Sequence, residues 1–256
     1  MITQTLKAMG IGFKAGSGDF VADRPTLLMI HGAGGNSQIW QNQTRPLGKS
    51  INTFALDLPG HGESSGRPRS DLYEYAQWLV EVIRSVFDEP PFLMGHSMGG
   101  AIVQMAALSN PDLIEGIILV GTGPRLQVAP MFLEGLQKNF EEIVDTIIGF
   151  AYTSDADPRL IKEGAKLMKE SGVDVVHGDF SACNRFDLQD QIKDIHLPCL
   201  ILCGNEDKLT PPSLSKKLNK SIEGSKIEIL PDAGHMVMIE NYQAFNDRVL
   251  DFFLHA

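Results

Sequence analysis

The sequence predicts an α/β protein built on a mostly parallel sheet, and three observations carry that expectation. Short continuous apolar runs, such as Thr26–Ile30, have the pattern of strands buried on both faces. They alternate with amphipathic stretches at helical spacing, the clearest carrying Leu72, Ala76, Leu79, Val80, Ile83 and Phe87. Finally, Gly95-His96-Ser97-Met98-Gly99 lies between an apolar run and a helix start, where the chain turns sharply from strand to helix.

Taken in order, residues 2–22 read as an opening hairpin, with arms at 5–9 and 11–14 and a turn at Gly16-Ser17-Gly18-Asp19. The strand at 26–30 runs into His31-Gly32-Ala33-Gly34-Gly35, a loop with so little side chain that backbone N–H groups can approach a substrate. A helical stretch with Trp40 and Gln43 precedes the strand at 51–57, which ends in Leu58-Pro59-Gly60-His61-Gly62. Arg67, Pro68 and Arg69 make a solvated loop, and 73–87 is a helix covering one sheet face. The strand entering Gly95 and the helix leaving Gly99 are followed by a strand at 115–121. Residues 124–190 hold no Val/Ile-rich run; helical patterns at 131–150 and 157–172 are separated by Asp155-Ala156-Asp157-Pro158, a break and helix-start signal. Strands return at 197–204, before Asn205-Glu206-Asp207-Lys208, and at 226–230, before Pro231-Asp232-Ala233-Gly234-His235. A helix at about 241–254 closes the chain.

The 256 residues, 43% hydrophobic and 21% charged, suit one large core in a soluble protein. A net charge of −10 argues against nucleic acid and against an anionic membrane surface as partners. No apolar run reaches the ~18 residues of a membrane span, and no apolar segment follows Lys7 as a secretion signal would. A cytoplasmic monomer or homodimer acting on a small molecule is expected. Cys183, Cys199 and Cys203 form an odd set without paired zinc-ligand spacing, and the last two flank a buried strand as small apolar fillers. No His-x-x-x-His or carboxylate cluster calls for a metal, and no Gly-x-Gly-x-x-Gly for a dinucleotide, so no cofactor is expected.

The stretch around Ser97 resembles the nucleophile elbow of the α/β-hydrolase superfamily. His31-Gly32-Ala33-Gly34-Gly35, Asp57-Leu58-Pro59-Gly60-His61-Gly62-Glu63-Ser64 and Gly234-His235 extend the likeness over nearly the whole chain, in the family's order. The resemblance implies a doubly wound sheet of about eight strands in a core of residues 1–123 and 191–256. It also implies a helical cap of three to four helices at 124–190. Ser97, Asp207 and His235 follow the family's Ser…Asp…His order, each just after a predicted strand, and would be nucleophile, orienting acid and base. Glu206 and Asp232 are the competing acids; Asp207 is preferred because Gly204-Asn205-Glu206-Asp207 resembles the family's Gly-x-x-Asp. By the same resemblance the N–H groups of Ala33 and Met98 form the oxyanion hole, with Gly34 in place of Ala33 if the loop is offset by one.

Of the remaining histidines, His31, His61 and His96 orient loops, while His177, His196 and His255 have no partner pattern and read as surface or cap residues. The implied activity is cofactor-free carboxylic-ester hydrolysis through an acyl-enzyme. Thioesterases, lactonases and the carbon–carbon hydrolases of ring-cleavage products share the constellation, although the last tend to carry tryptophan where this chain has Met236. Aspartate-nucleophile dehalogenases and epoxide hydrolases are excluded by Ser97. A non-catalytic ligand receptor on the same fold is the alternative from another class. Apolar cap residues, among them Met131, Phe132, Ile147 and Ile148, point to neutral esters of modest size.

Overall fold

The computed structural model describes residues 2–16 and 20–254. Helix α1 (Ile2–Ala8) leads into β1 (Phe13–Ala15), β2 (Thr26–Ile30), α2 (Gln41–Leu47) and β3 (Asn52–Leu56). Then come α3 (Leu72–Val86), β4 (Phe92–His96), α4 (Met98–Ser109) and β5 (Gly116–Val120). Four helices follow without a strand: α5 (Pro130–Lys138), α6 (Phe140–Ala151), α7 (Pro158–Ser171) and α8 (Val173–Arg185). The chain finishes with β6 (Cys199–Gly204), α9 (Pro212–Ser221), β7 (Lys226–Leu230), α10 (Val237–Glu240) and α11 (Tyr242–Phe253).

The strands pair in the order β1-β3-β2-β4-β5-β6-β7. Every neighbouring pair is parallel except β1, which lies antiparallel on β3. Because side chains alternate across a strand, each parallel strand feeds two apolar layers. Leu28 and Ile30 pack on the side of α3 and α4 with Leu79, Val103 and Ile117, whereas Leu27 and Met29 pack on the other side with Trp40, Met94 and Phe245. Strand β4 is buried along its whole length at the middle of the sheet, so the turn at its C-terminal end is held rigidly. At the far edge β7 is only half-buried, in keeping with its alternating sequence.

Helices α5–α8 stand between β5 and β6 and share an apolar cluster of their own around Leu136, Val144, Ile147, Ile148, Met168 and Val176. That cluster also packs against Leu209 and Met236 of the loops at the sheet edge and Ile239 of α10. The 131–150 pattern is two helices, since Asn139 leaves helical geometry (φ −138°, ψ 56°) and ends α5. Helix α8 had no counterpart in the pattern.

The opening hairpin is not formed, and this lowers the strand count from about eight to seven among the described residues. Residues 5–9 fall instead in and just after α1, with Leu6 fully buried. Gly10 (φ 70°) ends this helix: its N–H donates to the Lys7 carbonyl at 3.0 Å and the Ile11 N–H to the Leu6 carbonyl at 3.0 Å. Those two bonds satisfy carbonyls that a helix end otherwise leaves unpaired. Of the turn expected at Gly16-Ser17-Gly18-Asp19, the last three residues lie outside the described residues. Among the described residues no helix is long and apolar enough to cross a membrane.

Candidate active site

Ser97 connects β4 to α4 with φ 53° and ψ −114°, a conformation costing an ordinary residue about 1–3 kcal/mol. The surrounding bonds over-determine it. Its N–H donates to the Val120 carbonyl (2.9 Å), and its carbonyl accepts from the Thr122 hydroxyl (2.9 Å) and the Gly100 N–H (3.0 Å). The flanking glycines are steric necessities: a Cβ on Gly95 would lie 2.2 Å from the Gly99 oxygen, and one on Gly99 2.4 Å from the Ile30 oxygen. The half-buried serine is thereby presented at the N-terminus of a twelve-residue helix, whose first N–H groups have no intrahelical partner.

The loop after β6 places Asp207, 3% exposed, against His235 from the loop after β7. His235 Nδ1 lies 2.9 Å from Asp207 Oδ2, and since a carboxylate only accepts, Nδ1 carries the proton and Nε2 is left with a lone pair. The other carboxylate oxygen accepts from the N–H groups of Leu209 (3.0 Å) and Thr210 (2.8 Å). Burial alone would raise the Asp207 carboxyl, but the His235 ring and the hydrogen bonds from His235 and Thr210 outweigh it and hold it below the usual range. Glu206 and Asp232 are both exposed.

Thr210 was not signalled by the sequence. Its Oγ1 lies 2.7 Å from the Gly121 carbonyl, 2.8 Å from Asp207 Oδ2 and 3.0 Å from His235 Nδ1, so it packs Asp207 and His235 against the end of β5. Glu240 is a second unsignalled residue: its carboxylate accepts from the Gly234 N–H (2.8 Å) and from the N–H (2.8 Å) and hydroxyl (3.0 Å) of Thr153. It ties the His235 loop to the end of α6.

His96 and His31 orient backbone. His96 Nε2 donates to the His235 carbonyl (3.0 Å), and its ring lies 4.5 Å from that of His235. His31 Nε2 accepts from the Leu58 N–H (3.0 Å), so Nδ1 donates to the Gly32 carbonyl (2.8 Å). Burial pushes both rings down to about 3, with His235 adding to the effect on His96 and His61 to that on His31. His61 moves the other way: burial opposes the rise, but the hydrogen bond and negative charge of Asp179 outweigh it. His177 is half-buried and His196 exposed, while His255 lies outside the described residues.

The loop after β2 rests on the elbow. A Cβ on Gly32 would sit 3.0 Å from His96 Nδ1 and 3.2 Å from the Ser97 Cβ. Among the described residues neither the Ala33 N–H nor the Met98 N–H donates to another group. The Gly34 N–H is taken, donating to Asp179 Oδ2 at 2.9 Å. Gly34 therefore does not offer the donor that an offset loop would require.

Ser97, His235, His96 and Ala33 share the wall of one cavity of about 900 Å³. Its opposite wall comes largely from the helical insertion, including Phe132, Ile147, Ile148, Leu160, Met168 and Phe180. Among the described residues no group of three or more His, Cys, Asp or Glu side chains is placed to hold a metal ion.

The model of the "Alpha/beta hydrolase family" matches residues 27–248. A pimeloyl-[acyl-carrier protein] methyl ester esterase of Pectobacterium atrosepticum is 28% identical over 246 residues, covering 90% of this chain and 95% of its own. Among solved structures, a thermophilic esterase superposes with a TM-score of 0.84 at 34% identity, over 94% of this chain and 92% of that one. The enol-lactonase of Burkholderia xenovorans LB400 superposes at 0.89 over 96% of both chains; at 20% identity this is a likeness of fold.

Proposed function

This chain belongs to the alpha/beta hydrolase family, and we propose that it is a serine hydrolase of small, neutral carboxylic esters. The observation that carries the reading is the buried Asp207–His235 pair, whose His235 lines the same cavity as Ser97. In this reading Ser97 Oγ bonds to the ester carbonyl carbon while its proton passes to His235 Nε2. Asp207 keeps the Nδ1 proton in place and stabilises the imidazolium. The carbonyl oxygen becomes an oxyanion that accepts from the N–H groups of Ala33 and Met98, the latter aided by the N-terminal end of α4. Collapse breaks the bond to the alcohol oxygen, which leaves with the proton from Nε2. Water then repeats the sequence on the acyl-enzyme, releasing the acid and restoring Ser97.

The chain divides, in this reading, into a core of 1–123 and 191–256 and a cap of 124–190. The separate apolar cluster of α5–α8 and their place over the cavity support it. Residues 124–190 carry seven Lys and Arg against twelve Asp and Glu. Ion pairs occupy several of the cations, among them Lys169 with Glu141 and Asp145, and Arg125 with Asp187. That distribution favours an uncharged substrate over an anionic one. Each CH₂ buried in the apolar wall adds about 0.8 kcal/mol until the space is filled.

The test is a panel of p-nitrophenyl and methyl esters of rising chain length, with an enol-lactone and a ring-cleavage dienoate, on wild type and Ser97→Ala. Short to medium esters should be turned over fastest, and Ser97→Ala should lower kcat by at least about 10⁴-fold. Near-normal ester turnover by a pure Ser97→Ala sample would sink the reading, and faster turnover of the dienoate would move it to carbon–carbon hydrolysis.

A further inference from the structure

Ala33 lies between two peptide planes that are fixed by different parts of the molecule. The Gly32 carbonyl, in the plane that carries the Ala33 N–H, accepts from His31 Nδ1 (2.8 Å) and the Gly35 N–H (3.1 Å). The next plane carries the Gly34 N–H, and the helical insertion grips Gly34 there. Its N–H donates to Asp179 Oδ2 on α8 (2.9 Å), and its carbonyl accepts from Ser171 Oγ at the end of α7 (3.0 Å). With φ 62°, Gly34 is in the left-handed region, and a Cβ there would press on Met168 Cγ and Val176 Cγ2, each at 3.0 Å.

Asp179 is completely buried, and its remaining partners come from the other side of the chain's topology. His61 Nε2 donates to Oδ2 at 2.8 Å, and the Tyr75 hydroxyl donates to Oδ1 at 3.4 Å. A dry carboxylate costs several kcal/mol unless it is paired and hydrogen-bonded. This one is held by an imidazole, a phenol and a single backbone N–H, and that N–H belongs to the loop beside the elbow. Two dihedrals are soft at Ala33, and fixing the planes on both sides of it fixes both. The Ala33 N–H lies in the first of these planes, and the grip on the second removes the rotation about Ala33 that would let the first one turn.

We propose that Asp179 is a positioning residue: through the Gly34 N–H it locks the Ala33 peptide so that its N–H faces the oxygen on which charge develops. The inference rests on the serine-hydrolase reading above. It makes α8 part of the catalytic apparatus, not only a wall of the cavity. A donor misplaced by about 1 Å loses up to about 10²-fold in rate, whereas ground-state binding, which depends on the apolar walls, is spared.

The experiment compares wild type, Asp179→Ala and Asp179→Asn on one short p-nitrophenyl ester. Alongside kcat and KM it measures the affinity of a trifluoromethyl ketone, which adds to the serine as an oxyanionic hemiketal, and of the corresponding unreactive amide. Asp179→Ala should lower kcat about 10- to 100-fold and weaken the ketone by the same factor, leaving KM and amide affinity within about threefold. Asp179→Asn should stay within about fivefold of wild type, because one carboxamide oxygen in the place of Oδ2 still accepts from both the Gly34 N–H and His61. A folded Asp179→Ala with normal kcat, or equal losses of ketone and amide affinity, would overturn the proposal. Where Asp179→Ala does not fold, Asp179→Ser decides by the same two outcomes. Failure of the underlying reading shows separately, as a wild-type enzyme that forms no hemiketal or a Ser97→Ala enzyme that keeps its turnover.

Discussion

A carboxylate that steers a histidine ring has to be dry, aimed and ionised, and Asp207 meets all three conditions. It is buried, it accepts the Nδ1 proton at 2.9 Å, and His235 and the Thr210 donors keep it charged. Replacing it by the isosteric amide permits the other tautomer, in which Nε2 presents a proton where a lone pair is needed. Asp207→Asn is expected to lose about 10⁴ in kcat, roughly 5 kcal/mol of barrier, the loss that the same change brings in a serine protease. Glu206→Gln and Asp232→Asn, both in solvent, should remain within about tenfold. Measuring kcat/KM for the three on one ester checks this, and collapse of either solvent variant while Asp207→Asn survives would displace the assignment. The pairing of residues 207 and 235, and the cavity that residues 97 and 235 share, were legible in the sequence because each residue follows an apolar run and a local glycine pattern. Asp179 could not, since its partner Gly34 is 145 residues away and nothing in either neighbourhood announces the pairing. Thr210, three residues after Asp207, was near enough to notice; a threonine in a polar loop carries no signal until its hydroxyl is seen against the ring.

At the level of elements, the buried parallel strands were the legible part, because a strand covered on both faces must be apolar throughout and little else gives so short a run. Helix α1 was not. Its seven residues hold one fully buried side chain, Leu6, too few to set a period, and the mixed run at 5–9 fits a hairpin arm equally well. The deciding feature is Gly10, whose positive φ and two closing bonds make it a helix terminator and not a hairpin turn. Gly10→Ala should lower the stability by about 1 kcal/mol or more, since the new Cβ must adopt φ 70° and displace Ser65 Oγ, 2.2 Å from its position. Urea unfolding reads that loss directly, and an unchanged midpoint would return residues 2–10 to a marginal role. Helix α8 escaped for a related reason. Its sequence, VDVVHGDFSACNR, spreads apolar and polar residues around the helix, because one side carries the buried Asp179 toward the core.

For the molecule as a whole, the buried histidines set how stability responds to acid and base. His31 and His96 have folded values near 3 against an unfolded value of about 6.5. As the pH falls below about 6.5, the unfolded chain takes up protons that the folded one refuses, and each ring removes about 1.4 kcal/mol per pH unit. His61 has the opposite sign: its value is raised, so its stabilisation is complete below about 6.5 and is lost as the pH climbs through the folded value. Within the histidine range, folding should be most favourable near pH 6.5. Denaturant midpoints at pH 5.0, 6.5 and 8.5 measure it. A flat response from 6.5 to 5.0 would mean that these rings protonate without leaving their sites.

The placement of α5–α8 between β5 and β6 governs the order in which the protein comes into being. A ribosome that has completed residues 1–120 has made the elbow serine and the loop that flanks it, but neither Asp207 nor His235. Residues 121–198 must then be synthesised and bridged before β6 can lie beside β5, and closing a long loop delays the contacts beyond it. The nascent chain thus carries its proposed nucleophile unarmed from residue 97 until residue 235 is made. Only when β7 joins β6 does His235 come to lie beside Asp207, and with it the proposed base for that serine.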